Sequence, residues 1–140
     1  SGDLGRIRES TRRVCLDAIK RTENNDSFFL NICLNYGGRD EIVRASKKIA
    51  LLYKEGKISL DDINEKSFHD YLWNPLLPDV DLMIRTSGEM RLSNYLLYEN
   101  AYAEFIFTPV KWPDFHREEL ISCLEEYQNR NRRFGGLKNE

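Results

Sequence analysis

The chain has 140 residues, of which 41% are hydrophobic and 31% are charged, a composition typical of one globular domain. Its formal net charge of −2 excludes a global positive field that would recruit nucleic acid or an anionic membrane, so any anion must be bound locally. No signal peptide and no run of about 18 apolar residues is present, and three widely separated cysteines (Cys15, Cys33 and Cys123) predict buried free thiols. These features predict a cytoplasmic protein.

The first part of the chain predicts a helix followed by a strand. Residues 5–22 are rich in helix formers, and either Asp3 or Ser10 could cap that helix. Residues 28–34 are almost wholly apolar, which predicts a strand that is covered on both faces. The chain begins without a methionine, from which we expect an internal fragment or a processed product.

A second helix is predicted directly after this strand. The strand ends at a glycine-containing turn over residues 35–40, and apolar residues then recur at helical spacing over residues 40–53. Gly56 lies just beyond the last turn, where helix-ending glycines belong. A strand, a glycine turn and a helix form the first half of a βαβ unit.

The rest of the chain continues the alternation of helices and strands. The predicted elements are one or two short helices in residues 59–72, a strand at 80–84, a short helix at 94–100, a strand at 103–108, a turn at 112–115 and a helix over 116–132 with Leu120, Ile121, Leu124 and Tyr127 facing inward. This order predicts an α/β fold with a mainly parallel sheet flanked by helices. So few strands are visible that we expect a partial domain.

The most informative segment is the polar loop that follows the strand at residues 80–84. Arg85 and Arg91 could converge with Ser93 on one phosphate group, because a guanidinium gives bidentate hydrogen bonds and keeps its charge. Gly88 would allow close approach of the backbone. The alternative is that both arginines are surface residues paired with Glu89, Asp81 or Glu99.

Glu104 lies within the apolar segment Ala101–Phe105, where a carboxylate is costly unless it is paired or binds a metal. It could help to hold a Mg²⁺ ion that bridges a diphosphate, since magnesium sites use one or two carboxylates together with phosphate oxygens. A salt bridge to Arg85 or Arg91 is the equally weighted alternative.

Other polar features are weaker candidates. The turn Asn35–Arg39 could contact phosphate at a helix N-terminus, but it lacks a complete phosphate-loop pattern, and a structural turn is the better interpretation. The acidic run Asp61–Glu65 resembles a diphosphate-metal motif, yet it lies at a predicted helix start, where aspartate is favoured for capping. His69 and His116 are isolated and are interpreted as surface or packing residues.

Several motifs in order resemble the cis-prenyltransferases, the family of undecaprenyl diphosphate synthase. The matching segments are Gly2–Asp3, Leu34–Ile42, Asp81–Glu89, Arg91–Asn94, Ala101–Phe105, Trp112–Phe115 and Arg132–Gly136. They extend over essentially the whole chain, which makes the resemblance highly specific. It implies that residues 1–140 are the C-terminal part of a single prenyltransferase domain that lacks its N-terminal strands and helices.

The resemblance also implies an activity and a set of site residues. Family members condense isopentenyl diphosphate onto an allylic diphosphate such as farnesyl diphosphate, and the product is a long polyprenyl diphosphate such as undecaprenyl diphosphate, used for the cell-wall lipid carrier. The implied substrate-binding residues are Arg85, Arg91 and Ser93 for the diphosphate of isopentenyl diphosphate, together with Leu92, Glu89 and Asn94 in the same loop. Glu104 would coordinate Mg²⁺ across a homodimer interface, and a tail containing Arg133 and Gly135 would complete a neighbouring active site.

One departure from the family pattern qualifies the expected activity. The Asp-Gly-Asn-Gly-Arg loop, whose first aspartate is the principal catalytic and magnesium-binding residue in the family, does not occur in these 140 residues. The resemblance therefore implies an enzyme whose catalytic residue lies outside this chain, so that the chain alone is inactive. The alternatives are a non-catalytic subunit that binds diphosphate or dimerises, and an unrelated phosphate-binding α/β module. Peripheral membrane association would follow from the lipid product.

Overall fold

The computed structural model describes residues 1–131, and the contacts within it define two units, Ser1–Leu77 and Pro78–Glu140. The helices are α1 (Glu9–Thr22), α2 (Gly38–Lys54), α3 (Glu65–His69) and α4 (Arg117–Gln128), the strands are β1 (Leu82–Arg85) and β2 (Glu104–Phe107), and single 3-10 turns lie at Leu4–Arg6, Leu60–Asp62 and Trp112–Asp114. No helix in the described part of the chain is long and apolar enough to cross a membrane.

In the first unit, α1 begins four residues later than the sequence predicted. The carboxylate of Asp3 accepts the Gly5 N–H at 2.9 Å and caps the separate 3-10 turn instead of the helix. Ile7 is extended, which interrupts the helical path, and Ser10 lies inside α1 instead of capping it. The predicted helix over residues 5–22 is therefore one 3-10 turn followed by a 14-residue helix.

The second predicted helix is confirmed as α2, and its end follows the glycine rule. Gly56 has a φ of 67° and donates its N–H to the carbonyl oxygen of Tyr53 at 3.0 Å. The Lys57 N–H donates to the carbonyl oxygen of Leu52 at 2.9 Å. These two bonds satisfy carbonyls that a helix end leaves unpaired, as in a Schellman motif. Ala45 and Ile49 are buried on the inner side of α2.

The predicted covered strand at residues 28–34 is wrong for this structure. Phe28 is 79% exposed and Leu30 is 76% exposed, and the segment is not assigned as a strand. A strand buried on both faces needs hydrogen-bonded neighbours and covering layers. Here the Leu34 N–H donates to the carbonyl oxygen of Ser1 at 2.9 Å, and the approach is so close that a Cβ on Gly2 would lie 2.1 Å from the Leu34 oxygen.

The predicted short helices in residues 59–72 are confirmed as the turn Leu60–Asp62 and α3. The Asp62 carboxylate accepts the Ser59 N–H at 2.7 Å and the Ser59 hydroxyl at 2.8 Å. These hydrogen bonds, first the one from the backbone, hold the pKa of Asp62 below its usual value. The acidic run is therefore a capped helix start, as the sequence suggested.

The second unit contains the parallel sheet that the sequence predicted. Strands β1 and β2 pair in parallel with Leu82 opposite Glu104 and Arg85 opposite Phe107. Ile106 of β2 is buried, and α4 packs against this strand. The α/β fold class with a parallel sheet is thus confirmed.

Two helical predictions in this unit need correction. Residues 94–100 form turns instead of a helix, because Asn94 and Leu96 have φ values of 64° and 44°, which a right-handed helix cannot accommodate. Helix α4 ends at Gln128, and its predicted inward residues Leu120, Ile121 and Leu124 are 42%, 41% and 43% exposed. The buried residue of α4 is Cys123, and burial raises the pKa of its thiol. None of the three cysteines forms a disulfide within the described residues, and Cys15 and Cys33 are half-buried.

Candidate functional site

The arginine loop, residues 85–95, begins where β1 ends and is fastened to the chain that follows β2. The Thr108 N–H donates to the carbonyl oxygen of Arg85 at 2.9 Å, and the Gly88 N–H donates to the carbonyl oxygen of Thr108 at 2.9 Å. The Ser87 N–H donates to the carbonyl oxygen of Val110 at 2.8 Å. Because the Ser87 and Gly88 N–H groups already have protein acceptors, these two groups are not available to an anion at this loop.

Two reverse turns shape the arginine loop. In the first, Ser87 and Gly88 have φ values of 66° and 67°; in the second, Ser93 and Asn94 have φ values of 53° and 64°. Positive φ at both central positions is the signature of a type I′ turn. Gly88 adopts a backbone conformation that favours glycine, and a Cβ at this position would meet nothing within 4 Å, so the close approach of an anion to this backbone stays a prediction. Ser93 is in a conformation that serine rarely adopts, and such strain clusters at functional sites.

The two arginines of the loop differ in their partners. Arg91 forms an ion pair with Glu89, and its side chain is 64% exposed. Arg85 is half-buried, and the described residues provide no ion pair or hydrogen bond to its guanidinium. The alternative of two paired surface arginines therefore holds for Arg91 only. The convergence of Arg85, Arg91 and Ser93 on one phosphate group stays a prediction.

Glu104 is paired, but with a partner that the sequence did not suggest. Its Oε2 lies 2.9 Å from Nη1 of Arg130, whose Nη2 lies 2.5 Å from Oε1 of Glu126. The predicted alternative of a salt bridge from Glu104 to Arg85 or Arg91 is wrong. Glu104 lies on a strand and Arg130 in the turn after α4, 26 residues later, so their contact has no local sequence signal.

Within one chain, Glu104 lies away from the arginine loop. Glu104 pairs with Leu82 at the start of the parallel sheet, whereas Arg85 pairs with Phe107 at its end. Three residues at roughly 3.3 Å per residue separate these positions by about 10 Å along the strands. The Cα positions of Glu104 and Arg85 are therefore separated along the sheet.

The donor set available for a metal is small. Among residues 1–131, no group of three or more histidine, cysteine or acidic side chains could hold an ion, and His69 and His116 belong to no such group. Glu104 nevertheless suits Mg²⁺, because its Oε1 accepts no hydrogen bond from the described residues and carboxylate oxygen is the ligand that this ion prefers. One carboxylate can serve only where phosphate oxygens, water or another chain complete the coordination.

Asn100 supports the arginine loop and was missed from the sequence. It is 5% exposed, and its Nδ2 donates to the carbonyl oxygens of Leu96 at 2.6 Å and Tyr95 at 3.2 Å. Leu96 is itself in the left-handed region, so the amide holds the end of the loop in an unusual backbone path. An asparagine in a segment predicted to be helical gave no signal of this role.

The second candidate turn, Asn35–Arg39, is held by a buried carboxylate. Glu41 is 1% exposed, and it accepts the Trp73 N–H at 2.8 Å and a short hydrogen bond from the Tyr36 hydroxyl. These contacts fasten the start of α2 to residues 71–73, which supports the structural interpretation of the turn. The predicted tail residues Arg133 and Gly135 lie outside the described residues.

Comparison with known proteins gives one consistent match. The undecaprenyl diphosphate synthase family model, a prenyltransferase family, matches residues 1–135. An isoprenyl transferase of Clostridium perfringens is 51% identical over 137 residues, which are 98% of this chain and 54% of that protein. The (2E,6E)-farnesyl-diphosphate-specific ditrans,polycis-undecaprenyl-diphosphate synthase of Micrococcus luteus is 48% identical over 136 residues, covering 97% of this chain and 55% of that protein.

A solved structure agrees in fold. The crystal structure of lavandulyl diphosphate synthase from Lavandula x intermedia, in complex with dimethylallyl diphosphate, superposes with a TM-score of 0.93 at 36% identity over 96% of this chain and 58% of that one. The chain therefore spans about half the length of the curated relatives that it matches.

Proposed function

Because the chain belongs to the undecaprenyl diphosphate synthase family of prenyltransferases, we propose that it carries the isopentenyl diphosphate site of a Mg²⁺-dependent cis-prenyltransferase. The reaction joins isopentenyl diphosphate to an allylic diphosphate, farnesyl diphosphate in the bacterial case, and repeats to give a long polyprenyl diphosphate such as undecaprenyl diphosphate. The observation that carries this proposal is Arg85, a half-buried residue at the end of β1 whose guanidinium has no anionic partner among the described residues.

Arg85 and Arg91 suit a diphosphate for different reasons. A half-buried cation without a partner favours an incoming anion, and a guanidinium can contact two phosphate oxygens at once. Arg91 is paired with Glu89 on the surface, and exposed ion pairs contribute only about 0–1 kcal/mol, so a diphosphate can replace the carboxylate at little cost. Ser93 adds a hydroxyl donor, Leu92 and Asn94 complete its turn, and the strained backbone there fixes the donor before the substrate arrives.

Glu104 is the proposed Mg²⁺ ligand, and the ion when bound would stabilise the diphosphate that leaves the allylic substrate. We propose that Glu104 serves the other copy of a homodimer, because Glu104 and Arg85 lie three register positions apart and their side chains therefore leave opposite faces of the sheet. The tail with Arg133 and Gly135 would reach the same neighbouring site. Phosphate contacts in the arginine loop then orient isopentenyl diphosphate, and Glu104 acts on the second substrate.

The cysteines and the lipid product indicate where in the cell the reaction would take place. Three cysteines that form no disulfide within the described residues suit a reducing compartment, and we propose that the enzyme is cytoplasmic. Its long apolar product would leave through a membrane surface, which gives the protein a peripheral and transient association with the bilayer. The product would serve as the precursor of a cell-wall lipid carrier.

The test is Mg²⁺-dependent incorporation of labelled isopentenyl diphosphate into long prenyl product. The complete gene product that carries this sequence is compared with the 140-residue chain alone and with Arg85→Ala. We expect activity in the complete product, none in the 140-residue chain, and a loss of roughly 10²-fold or more for Arg85→Ala, by analogy with removal of one transition-state donor. Arg117→Ala is the control, because Arg117 is an exposed residue in the first turn of α4.

Two results would contradict the proposal in different ways. Unchanged turnover and unchanged affinity in Arg85→Ala would remove the diphosphate site from the arginine loop. A complete gene product that binds isopentenyl diphosphate but transfers no prenyl group would favour the non-catalytic subunit.

A further inference from the structure

Arg130 connects the proposed metal ligand to the last helix of the described chain. Its Nη1 lies 2.9 Å from Oε2 of Glu104 on β2, and its Nη2 lies 2.5 Å from Oε1 of Glu126 on α4. The two terminal nitrogens of one planar group thus contact two different elements. The hydrogen bonds to Glu126 and then Glu104 hold the pKa of Arg130 above its ordinary value.

This geometry restricts the side-chain conformation of Glu104, the proposed metal ligand. A glutamate side chain has several rotatable bonds and loses considerable conformational entropy when it is fixed. The side chains of Glu104 and Arg130 are 27% and 31% exposed, so the pair is partly shielded from water and less screened than a surface pair. The contact uses Oε2 only, and Oε1 accepts no hydrogen bond from residues 1–131.

We propose that Arg130 is a positioning residue for the metal site: it fixes Oε2 of Glu104 and thereby presents Oε1 to Mg²⁺. This inference rests on the proposed function, since it requires Glu104 to be a metal ligand. Arginine is suited to the task because its rigid fork spans Glu104 and Glu126 at once, which a lysine ammonium cannot do with the same geometry. Residues that orient metal ligands typically change metal affinity or activity by roughly 10–100-fold when they are replaced.

A competing effect has the opposite sign. If Arg130 only neutralised Glu104, its removal would leave a more negative site, and a divalent cation would bind more tightly. The direction of the change in metal affinity therefore separates positioning from charge competition. A role confined to folding would change thermal stability and leave the metal affinity of the folded protein unchanged.

The experiment measures metal binding directly, without catalysis. The complete gene product is freed of metal, saturated with inorganic pyrophosphate and titrated with Mn²⁺ as a paramagnetic substitute for Mg²⁺, and free Mn²⁺ is followed by electron paramagnetic resonance. The variants are Arg130→Met, Arg130→Lys and Glu104→Gln, with Arg117→Met, an exposed arginine in the first turn of α4, as the matched control. Circular dichroism establishes that each variant is folded.

We expect Arg130→Met to weaken Mn²⁺ binding by roughly 10-fold or more, Arg130→Lys to weaken it less, and Arg117→Met to leave it unchanged. If Arg130→Met does not fold, the weakening in Arg130→Lys carries the test. Wild-type or tighter binding in the folded Arg130 variants, with weak binding in Glu104→Gln, would overturn this inference and leave the metal assignment intact. Unchanged binding in Glu104→Gln would overturn the metal assignment and this inference together.

Discussion

Replacing the buried Glu41 should destabilise the first unit of the chain strongly. The Glu41 carboxylate is 1% exposed and accepts hydrogen bonds from the Trp73 N–H and the Tyr36 hydroxyl. In Glu41→Leu both donors lose their acceptor. Both hydrogen bonds are part-buried, so the loss of each costs about 1–2 kcal/mol, and the free energy of unfolding should fall by about 2–4 kcal/mol. This is a large share of the roughly 5–15 kcal/mol that stabilises a typical domain.

The conservative variant Glu41→Gln should cost much less. Its amide oxygen can accept the Trp73 N–H, and its amide N–H₂ can donate to the Tyr36 oxygen once that hydroxyl has turned away. Only the charge assistance of the two hydrogen bonds is then lost, which we place at about 1–2 kcal/mol. The ratio of the losses in free energy of unfolding of the two variants therefore reports unsatisfied hydrogen-bond donors and not a change in side-chain volume.

Urea unfolding followed by tryptophan fluorescence can test both values. The chain has two tryptophans, and a Trp112→Phe background leaves Trp73, next to the Glu41 contact, as the reporter. Asp40→Asn is the matched control, because Asp40 is exposed in the same first turn of α2 and its charge contributes about 0.3–1 kcal/mol through the helix dipole. If Glu41→Leu were no less stable than Asp40→Asn, the argument from buried hydrogen bonds would be refuted.

Three further predictions follow from backbone conformation and pKa values. Gly88→Ala and Gly56→Ala should each lose about 1–2 kcal/mol of stability, because both glycines have a φ of 67° with open space around them. Only Gly88→Ala should raise the KM for isopentenyl diphosphate. Cys123 should react with a thiol reagent more slowly than Cys15 at pH 8, because burial raises the pKa of Cys123 and lowers its thiolate fraction; equal rates would contradict this. Because the pKa of Asp62 is lowered in the folded protein, its charge stabilises the fold at pH values above the unfolded-state pKa of about 3.9, and this contribution is lost as the pH falls through the folded-state pKa. The difference in stability between wild type and Asp62→Asn should therefore shrink below pH ~4. Acid titrations monitored by circular dichroism measure this difference.

Local patterns in the sequence predicted the elements whose determinants are local. Helix α2 has apolar residues at helical spacing and a terminal glycine at position 56, and both features act within one or two turns. The parallel pairing of β1 with β2 agrees with the predicted sheet, although the residues between the two strands form turns instead of the predicted helix. The strand end that precedes the arginine loop was predicted correctly, because polar residues that directly follow a short apolar run mark the end of a strand.

The failures concern features that depend on distant residues or on unusual backbone conformations. Residues 28–34 have the composition of a covered strand, but burial depends on neighbours that composition does not reveal. Residues 94–100 contain good helix formers, and the left-handed conformations of Asn94 and Leu96 override that propensity. The contact of Glu104 with Arg130 joins residues 26 apart, so spacing rules for helices and turns do not apply to it.

The most direct test of the central claim is a crystal structure of the complete gene product with isopentenyl diphosphate and Mg²⁺. We predict that the diphosphate contacts the Arg85 and Arg91 guanidinium groups and the Ser93 hydroxyl, with Arg91 released from Glu89. A diphosphate bound at the Asn35–Arg39 turn, with Arg85 more than hydrogen-bonding distance away, would contradict the assignment of the arginine loop.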